Sequence, residues 1–171
     1  MATLPTGTYP AYHSSYIKLV DTDNINDAIA KYSNSIVDFF EGIPEEKVAY
    51  RYAEGKWSLK EMLQHIIDAE RVFGYRAVCI SRGETTALPG FDENSYADNS
   101  NAEKRDWNSL IEELKAVRLS TDLLLRSFTE EMLDQQGITN GQPNTPRAIA
   151  FVIFGHALHH INIVKERYLT A

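Results

Sequence analysis

Apolar residues recur at three- and four-residue intervals along several long stretches of this chain, the period of one face of a helix. Ile25, Ala28, Ile29, Tyr32, Ile36, Phe39 and Phe40 follow it and predict a first helix from about Asn24 to Glu41, stopped by Gly42-Ile43-Pro44. Ser58-Leu-Lys-Glu61 is a capping box: the serine oxygen accepts from a free backbone N–H, and the glutamate reaches back to the N–H of the cap residue. It opens a second helix that runs to about Ser81, with Gly83 beyond its end and Trp57 placed as a hydrophobic staple before its start. Ser100-Asn-Ala-Glu103 has the same capping form and predicts a third helix to about Phe128, with Trp107, Leu110, Ile111, Leu114, Val117, Arg118 and Leu124 on its inner face. Thr145 as cap and Pro146 in the first turn open a fourth helix that continues to about Tyr168.

The segments between are read by their breakers. Residues 1–22 hold Pro5, Gly7 and Pro10 and are expected to form an irregular N-terminal arm. Residues 82–99 contain Leu88-Pro-Gly-Phe-Asp-Glu-Asn94, a connection long enough to suggest a functional loop. Residues 129–144 hold a short helical turn followed by Gly141-Gln-Pro-Asn144. No strand alternation competes with the helical pattern, so the expected fold is all-α, a four-helix bundle forming one domain over residues 1–171.

Composition narrows the function classes. Apolar residues make up 43% and charged residues 24%, an ordinary globular balance. The net charge is −7 with no Lys/Arg-rich stripe, which argues against nucleic acid as the partner. There is no basic-then-apolar leader pattern and no evident membrane span, so a cytoplasmic protein without a membrane partner is expected. The one cysteine, Cys79, lies within a helical apolar pattern and reads as packing rather than as a nucleophile.

Candidate chemistry concentrates in the fourth helix. His156 and His160 stand at i and i+4 in the most apolar stretch of the chain, a spacing that lets two imidazoles hold one metal ion. His156 and His159, at i and i+3, suit the same purpose nearly as well. A catalytic site usually takes a third ligand, and His65 is the histidine on another predicted helix. Asp68 and Glu61, one turn to either side of His65, are positioned to hydrogen-bond a ligand imidazole; Asp68 is the candidate for that catalytic support, because Glu61 already caps. Ala157 occupies the position where a His-Glu-x-x-His protease carries its base, and no Gly-x-Ser-x-Gly elbow is present. One of Arg71, Arg76, Arg82, Arg147 and Arg167 could bind a substrate carboxylate, a choice the sequence leaves open.

Trp57-Ser58, Glu61, His65, Asp68-Ala-Glu-Arg71, Phe73, Tyr75-Arg76, the 88–94 loop and His156-x-x-His-His160 with Arg167-Tyr168 together resemble the DinB-like (DinB/YfiT-like) metalloproteins over roughly residues 20–170. The resemblance implies an up-down-down-up bundle, usually a homodimer, with zinc or nickel held by His65, His156 and His160. It also implies relatives that transfer low-molecular-weight thiols, the metal activating the thiol. The high aromatic content, 11%, fits a partner surface as well as a core. A Gly-Gln pair common after the last ligand is replaced here by Ile161-Asn162, and His159 is an additional histidine.

Three function classes follow. The first is an enzyme that activates a thiol or water on a small-molecule substrate, either a thiol S-transferase or a hydrolase. The second is a non-catalytic metal-binding or stress-response protein, with His159 or Asp68 closing a four-ligand shell. The third is a metal-free bundle whose histidines are hydrogen-bonded in the core.

Overall fold

Each long helix begins where a polar side chain can satisfy its free N–H groups. In the computed structural model, which describes residues 4–5 and 7–170, the chain forms α1 (Ser14–Ile17), α2 (Ile25–Glu41), α3 (Leu59–Ser81), α4 (Glu93–Asn99), α5 (Trp107–Arg126), α6 (Glu130–Leu133) and α7 (Pro146–Ile163). Asn24 caps α2, Ser58 and Glu61 form the expected box on α3, Asp106 caps α5 and Thr145 caps α7. The last helix widens into a five-residue π-type turn over Val164–Tyr168.

The bundle is built from α2, α3, α5 and α7. The main contacts are α3 with α5 and α7, and α2 with α5 and α7. The consecutive helices α2 and α3 therefore lie across a diagonal, and the pairs Gln64–Arg105 and Arg71–Glu113 (α3 with α5), Ser33–Asp122 and Glu41–Lys115 (α2 with α5), and His65–His156 with Trp57–Tyr168 (α3 with α7) give the up-down-down-up topology. α7 is the central element: Ala148 through Ala157 are all buried, so it has no polar face to turn to water. By length and composition alone Pro146–Tyr168 could cross a membrane, but 72% of its most apolar stretch is buried inside the bundle, as a core helix requires. One ion pair sits deep in the seam, Glu70 of α3 with Arg118 of α5 at 2.6 Å, and the Arg118 guanidinium lies over the Phe154 ring of α7 at 4.8 Å.

Four expectations are corrected. The N-terminal arm is not irregular throughout: Ala11–His13 forms a 3-10 turn that runs into α1, and Ile17 and Val20 are buried against the bundle. The third bundle helix starts at Trp107, not after Ser100. Ser100 Oγ accepts from Ala102 N–H, but only a short 3-10 turn over Ala102–Lys104 follows, entered through Asn101 at positive φ and without a side-chain cap, while Glu103 is drawn away to the Ser58 hydroxyl and to Arg51 at 2.9 Å. The 82–99 connection contains α4, capped by Asp92. Residues 137–144 form a two-stranded hairpin, β1 (Gly137–Thr139) and β2 (Gln142–Asn144), turning through Asn140 and Gly141 at positive φ. Strands of three residues carry too few side chains to display a period.

The arm crosses α7 at Gly155. A Cβ there would come 2.1 Å from the Tyr16 carbonyl oxygen and 2.5 Å from its carbon, both backbone atoms. Only glycine lets the two backbones approach this closely. Gly74, inside α3, would meet nothing within 4 Å. Gly155→Ala is therefore expected to destabilise the protein by about 1–3 kcal/mol and to raise hydrogen exchange over residues 11–20. Gly74→Ala is expected to stabilise it by about 0.5–1 kcal/mol through helix propensity. Urea unfolding of the two variants checks both signs.

Candidate metal centre

His65 projects from α3, and His156 and His160 project from one face of α7, across the seam where these helices pack. The Nε2 atoms of His65 and His156 are 3.0 Å apart, and those of His160 and His156 are 3.1 Å apart. All three residues are buried, and together they form a group able to hold a metal ion. His159 turns away from this group and packs its ring against Tyr16 at 5.2 Å. Of the two pairings open on spacing alone, i,i+4 is the one whose nitrogens converge.

Burial sets the charge state. It pulls the His65 pKa down to about 4 and that of His160 to about 3, the latter helped by His65 and His159. His156, deepest of the three, lies well below the ordinary value for the same reason, with His160 and His65 adding to the effect. All three are neutral imidazoles at pH 7, the form that ligates.

The donor set suits a cation better than it suits hydrogen bonding. A neutral ring nitrogen offers one hydrogen or one in-plane lone pair. His156 Nε2 faces two other Nε2 atoms, so it can complete one good hydrogen bond and not two. One divalent ion accepts all three lone pairs, and atoms 3.0 Å apart both reach a centre at the usual zinc–imidazole distance of about 2.0–2.1 Å.

A cavity of about 350 Å³ opens onto the three histidines. Trp57 stacks beside His65 at 4.8 Å, with Phe73 and Tyr16 at 5.8 and 5.5 Å from His156, so the ligand rings are walled by aromatics. The 88–94 loop supplies Gly90, Phe91 and Glu93. It is pinned to the hairpin by Leu88 N–H donating to Ile138 O and Asn140 N–H donating to Leu88 O, both at 2.9 Å. A second cavity of about 250 Å³, lined by Tyr52, Lys56, Met62 and Tyr168, shares Trp57 and His160 with the first.

Asp68 is not where it was expected. Its Oδ1 accepts from Gln64 Nε2 at 3.0 Å and lies 3.7 Å from Arg71, and it does not line the cavity. Three residues along a helix is a rotation of about 300°, enough to carry Asp68 from the α7 side, where His65 points, toward Arg105 and Glu113. Burial raises its pKa. Glu61 keeps its capping role and pairs with Arg51 at 2.6 Å. Cys79 is half-buried against the core and outside the cavity.

Sequence reasoning missed His13, Tyr12, Tyr16, Glu93 and Asn140, all of which line the cavity. For the arm a signal existed: Tyr9, Tyr12, His13, Tyr16, Ile17 and Val20 fall at helical spacing. His13 is buried, and burial and the Arg76 charge lower its pKa to about 4.

A family model described as the DinB superfamily matches residues 33–164. A protein of Oceanobacillus iheyensis bearing the name "Putative metal-dependent hydrolase" is 24% identical over 139 residues, spanning 80% of this chain and 79% of its own length. One of the same name from Bacillus licheniformis is 25% identical over 124 residues, spanning 71% and 70%. Among solved structures, YfiT from Bacillus subtilis, described as "a probable metal-dependent hydrolase with an unusual four-helix bundle topology", aligns with a TM-score of 0.72 at 15% identity over 96% of this chain and 91% of its own.

The His13 shift has a consequence for stability. The unfolded chain takes up the proton near pH 6.5 and the folded chain near about 4, so the unfolded state binds more protons between these values. Stability is expected to fall as pH is lowered through that window, with His13 contributing about 2–3 kcal/mol of the loss by pH 4.5. Urea unfolding of metal-free protein at pH 7 and 4.5 checks this, and His13→Asn should flatten the dependence by that amount.

Proposed function

Because the chain belongs to the DinB superfamily, we propose that it is a metal-dependent hydrolase, with zinc or nickel held by Nε2 of His65, His156 and His160. The observation that carries this reading is the convergence of three buried, neutral imidazole nitrogens at the floor of a cavity. The names of two relatives support hydrolysis. When bound, a divalent cation supplies Lewis acidity, lowering the pKa of a water or thiol and stabilising negative charge that develops on a substrate oxygen.

The chain's own residues do the rest. Trp57, Tyr16 and Phe73 keep bulk water from the imidazoles and hold their ring planes. Glu93 is the carboxylate among the cavity-lining residues and takes up the proton released at the nucleophile. The Tyr16 hydroxyl keeps its own proton, since burial and the neighbouring Glu93 and Tyr12 raise its pKa, so it can donate a hydrogen bond. Thiol transfer is the second reading. The two cavities that meet at His160 and Trp57 favour it, because such a reaction needs room for two organic substrates.

Elemental analysis should find one ion per chain. His65→Ala, His156→Ala and His160→Ala should each weaken metal affinity by more than about 100-fold, since even outer partners of ligands are worth 10–100-fold. His159→Ala should retain the metal. On a panel of esters and amides, run beside thiol transfer to an electrophile, turnover should require metal, and Glu93→Gln should lower kcat by about 100-fold or more. Equal turnover by loaded, chelated and His156→Ala protein would refute the proposal.

A further inference from the structure

Five arginines were candidates for holding a substrate carboxylate, and the structure separates them. Arg71 is bound to Glu113 and lies near Asp68. Arg147 pairs with Asp134 and Glu130 at 2.8 and 2.7 Å. Arg82 lies exposed at the end of α3, over the Phe128 ring, and Arg167 is exposed over Tyr52. Arg76 alone of the five lines the cavity that holds the three imidazoles, and it is 6% exposed.

Its surroundings are unusual for a buried cation. One nitrogen, Nη2, donates to the Pro89 carbonyl at 2.6 Å, and the guanidinium lies 5.8 Å from the Phe91 ring. Among the described residues no carboxylate forms an ion pair with it. Burial lowers its pKa, and the groups that offset this are two phenols, Tyr12 and Tyr96. A guanidinium remains charged even so. Buried charges are normally paired, because desolvation is costly and a fork of five donors is left largely unused. The orphan Nδ1 of buried His13, whose pKa Arg76 depresses, is a further unsatisfied polar atom beside it.

The helix aligns this charge with the metal centre. His65, Ala69, Phe73 and Arg76 succeed one another at four, four and three residues along α3, and all four line the cavity. Eleven residues are three turns, about 16 Å of rise. The cavity therefore offers a cationic anchor at one end and the imidazoles at the other, with aromatic walls between.

We propose that Arg76 is the recognition site for a carboxylate, and that the substrates of this cavity are small carboxylic acids whose reactive group lies away from the carboxylate. This rests on the cavity being the active site. Arg76 is a specificity residue: it fixes the substrate's far end and takes no part in bond breaking.

The test measures binding without turnover. Full-length, chelator-treated protein is titrated with phenylacetate and with its uncharged analogue phenylacetamide, followed by ligand-observed NMR and by the Nε–H resonance of Arg76. Without metal, a carboxylate has no ion to ligate. Phenylacetate should bind at least about tenfold more tightly than phenylacetamide, the scale of a charge-assisted hydrogen bond, and should shift the Arg76 resonance. Arg76→Gln should erase that preference, Arg76→Lys should retain part of it, and Arg82→Gln should leave it unchanged. Equal binding of the two probes, absence of phenylacetate binding, or an undiminished preference in folded Arg76→Gln overturns the proposal. If Arg76→Gln does not fold, the wild-type preference and the Arg76 resonance decide. Failure here leaves metal activation standing, and failure to find metal-dependent turnover leaves this binding result intact.

Discussion

Three imidazoles meeting in the dry seam between α3 and α7 are the constraint around which the rest of the molecule is arranged. α7 is largely apolar because α1, α2 and α3 all pack on it, so His156 and His160 are buried and face only the cavity. Their nitrogens must find partners in the core or cost about 1–3 kcal/mol each. Burial holds the rings neutral, and neutrality gives them lone pairs to share. Their shared centre is the one arrangement that a cation satisfies better than hydrogen bonds among the three. Structural zinc closes a fourth protein ligand, and neither His159 nor Asp68 is turned to do so.

The bundle supplies the ligands, but irregular segments supply the cavity. Gly155 lets the arm lie directly on α7, and that contact brings Tyr16 against His156 and places His13 in the wall. On the opposite side the 88–94 loop is held by backbone hydrogen bonds to a hairpin that contributes little core of its own. A rigid frame of long helices fixes where the metal can sit, and three short pinned segments fix what can reach it. This division follows from energetics: ligand nitrogens must agree within tenths of an ångström, whereas walls need only exclude water and present a few polar groups.

What could be read from the sequence divides along the same line. α2, α3 and α7 were legible because period, caps and stops agree there, and the histidine spacing was legible because a helix converts sequence offset into direction. The i,i+3 and i,i+4 pairings were not separable by spacing. The convergence of the His156 and His160 Nε2 atoms with that of His65 decides between them. Ser100 to Glu103 satisfied a local capping rule, but Glu103 makes its hydrogen bonds to Ser58 and Arg51, 45 and 52 residues away, and no local pattern could show that. Asp68 failed for a related reason: one turn on a helix brings residues near each other without making them share a partner. The arm failed because Pro5, Gly7 and Pro10 outweighed an apolar spacing that resumes immediately after them.

The placement of charge completes the argument. The chain carries a net −7, yet the cavity holds a buried arginine and three imidazoles able to hold a metal ion. Fields from surface carboxylates are screened beyond about 8 Å at physiological ionic strength, so they do not decide what settles at Arg76. They weaken long-range steering of anions toward the protein. Recognition of an acidic ligand here has to come from short-range, desolvated contacts, and the aromatic walls of Phe73, Phe91 and Trp57 provide the low-polarity surroundings in which one guanidinium discriminates strongly. The local charge of the cavity is thus set by where a single arginine is buried, and not by the overall charge of the chain.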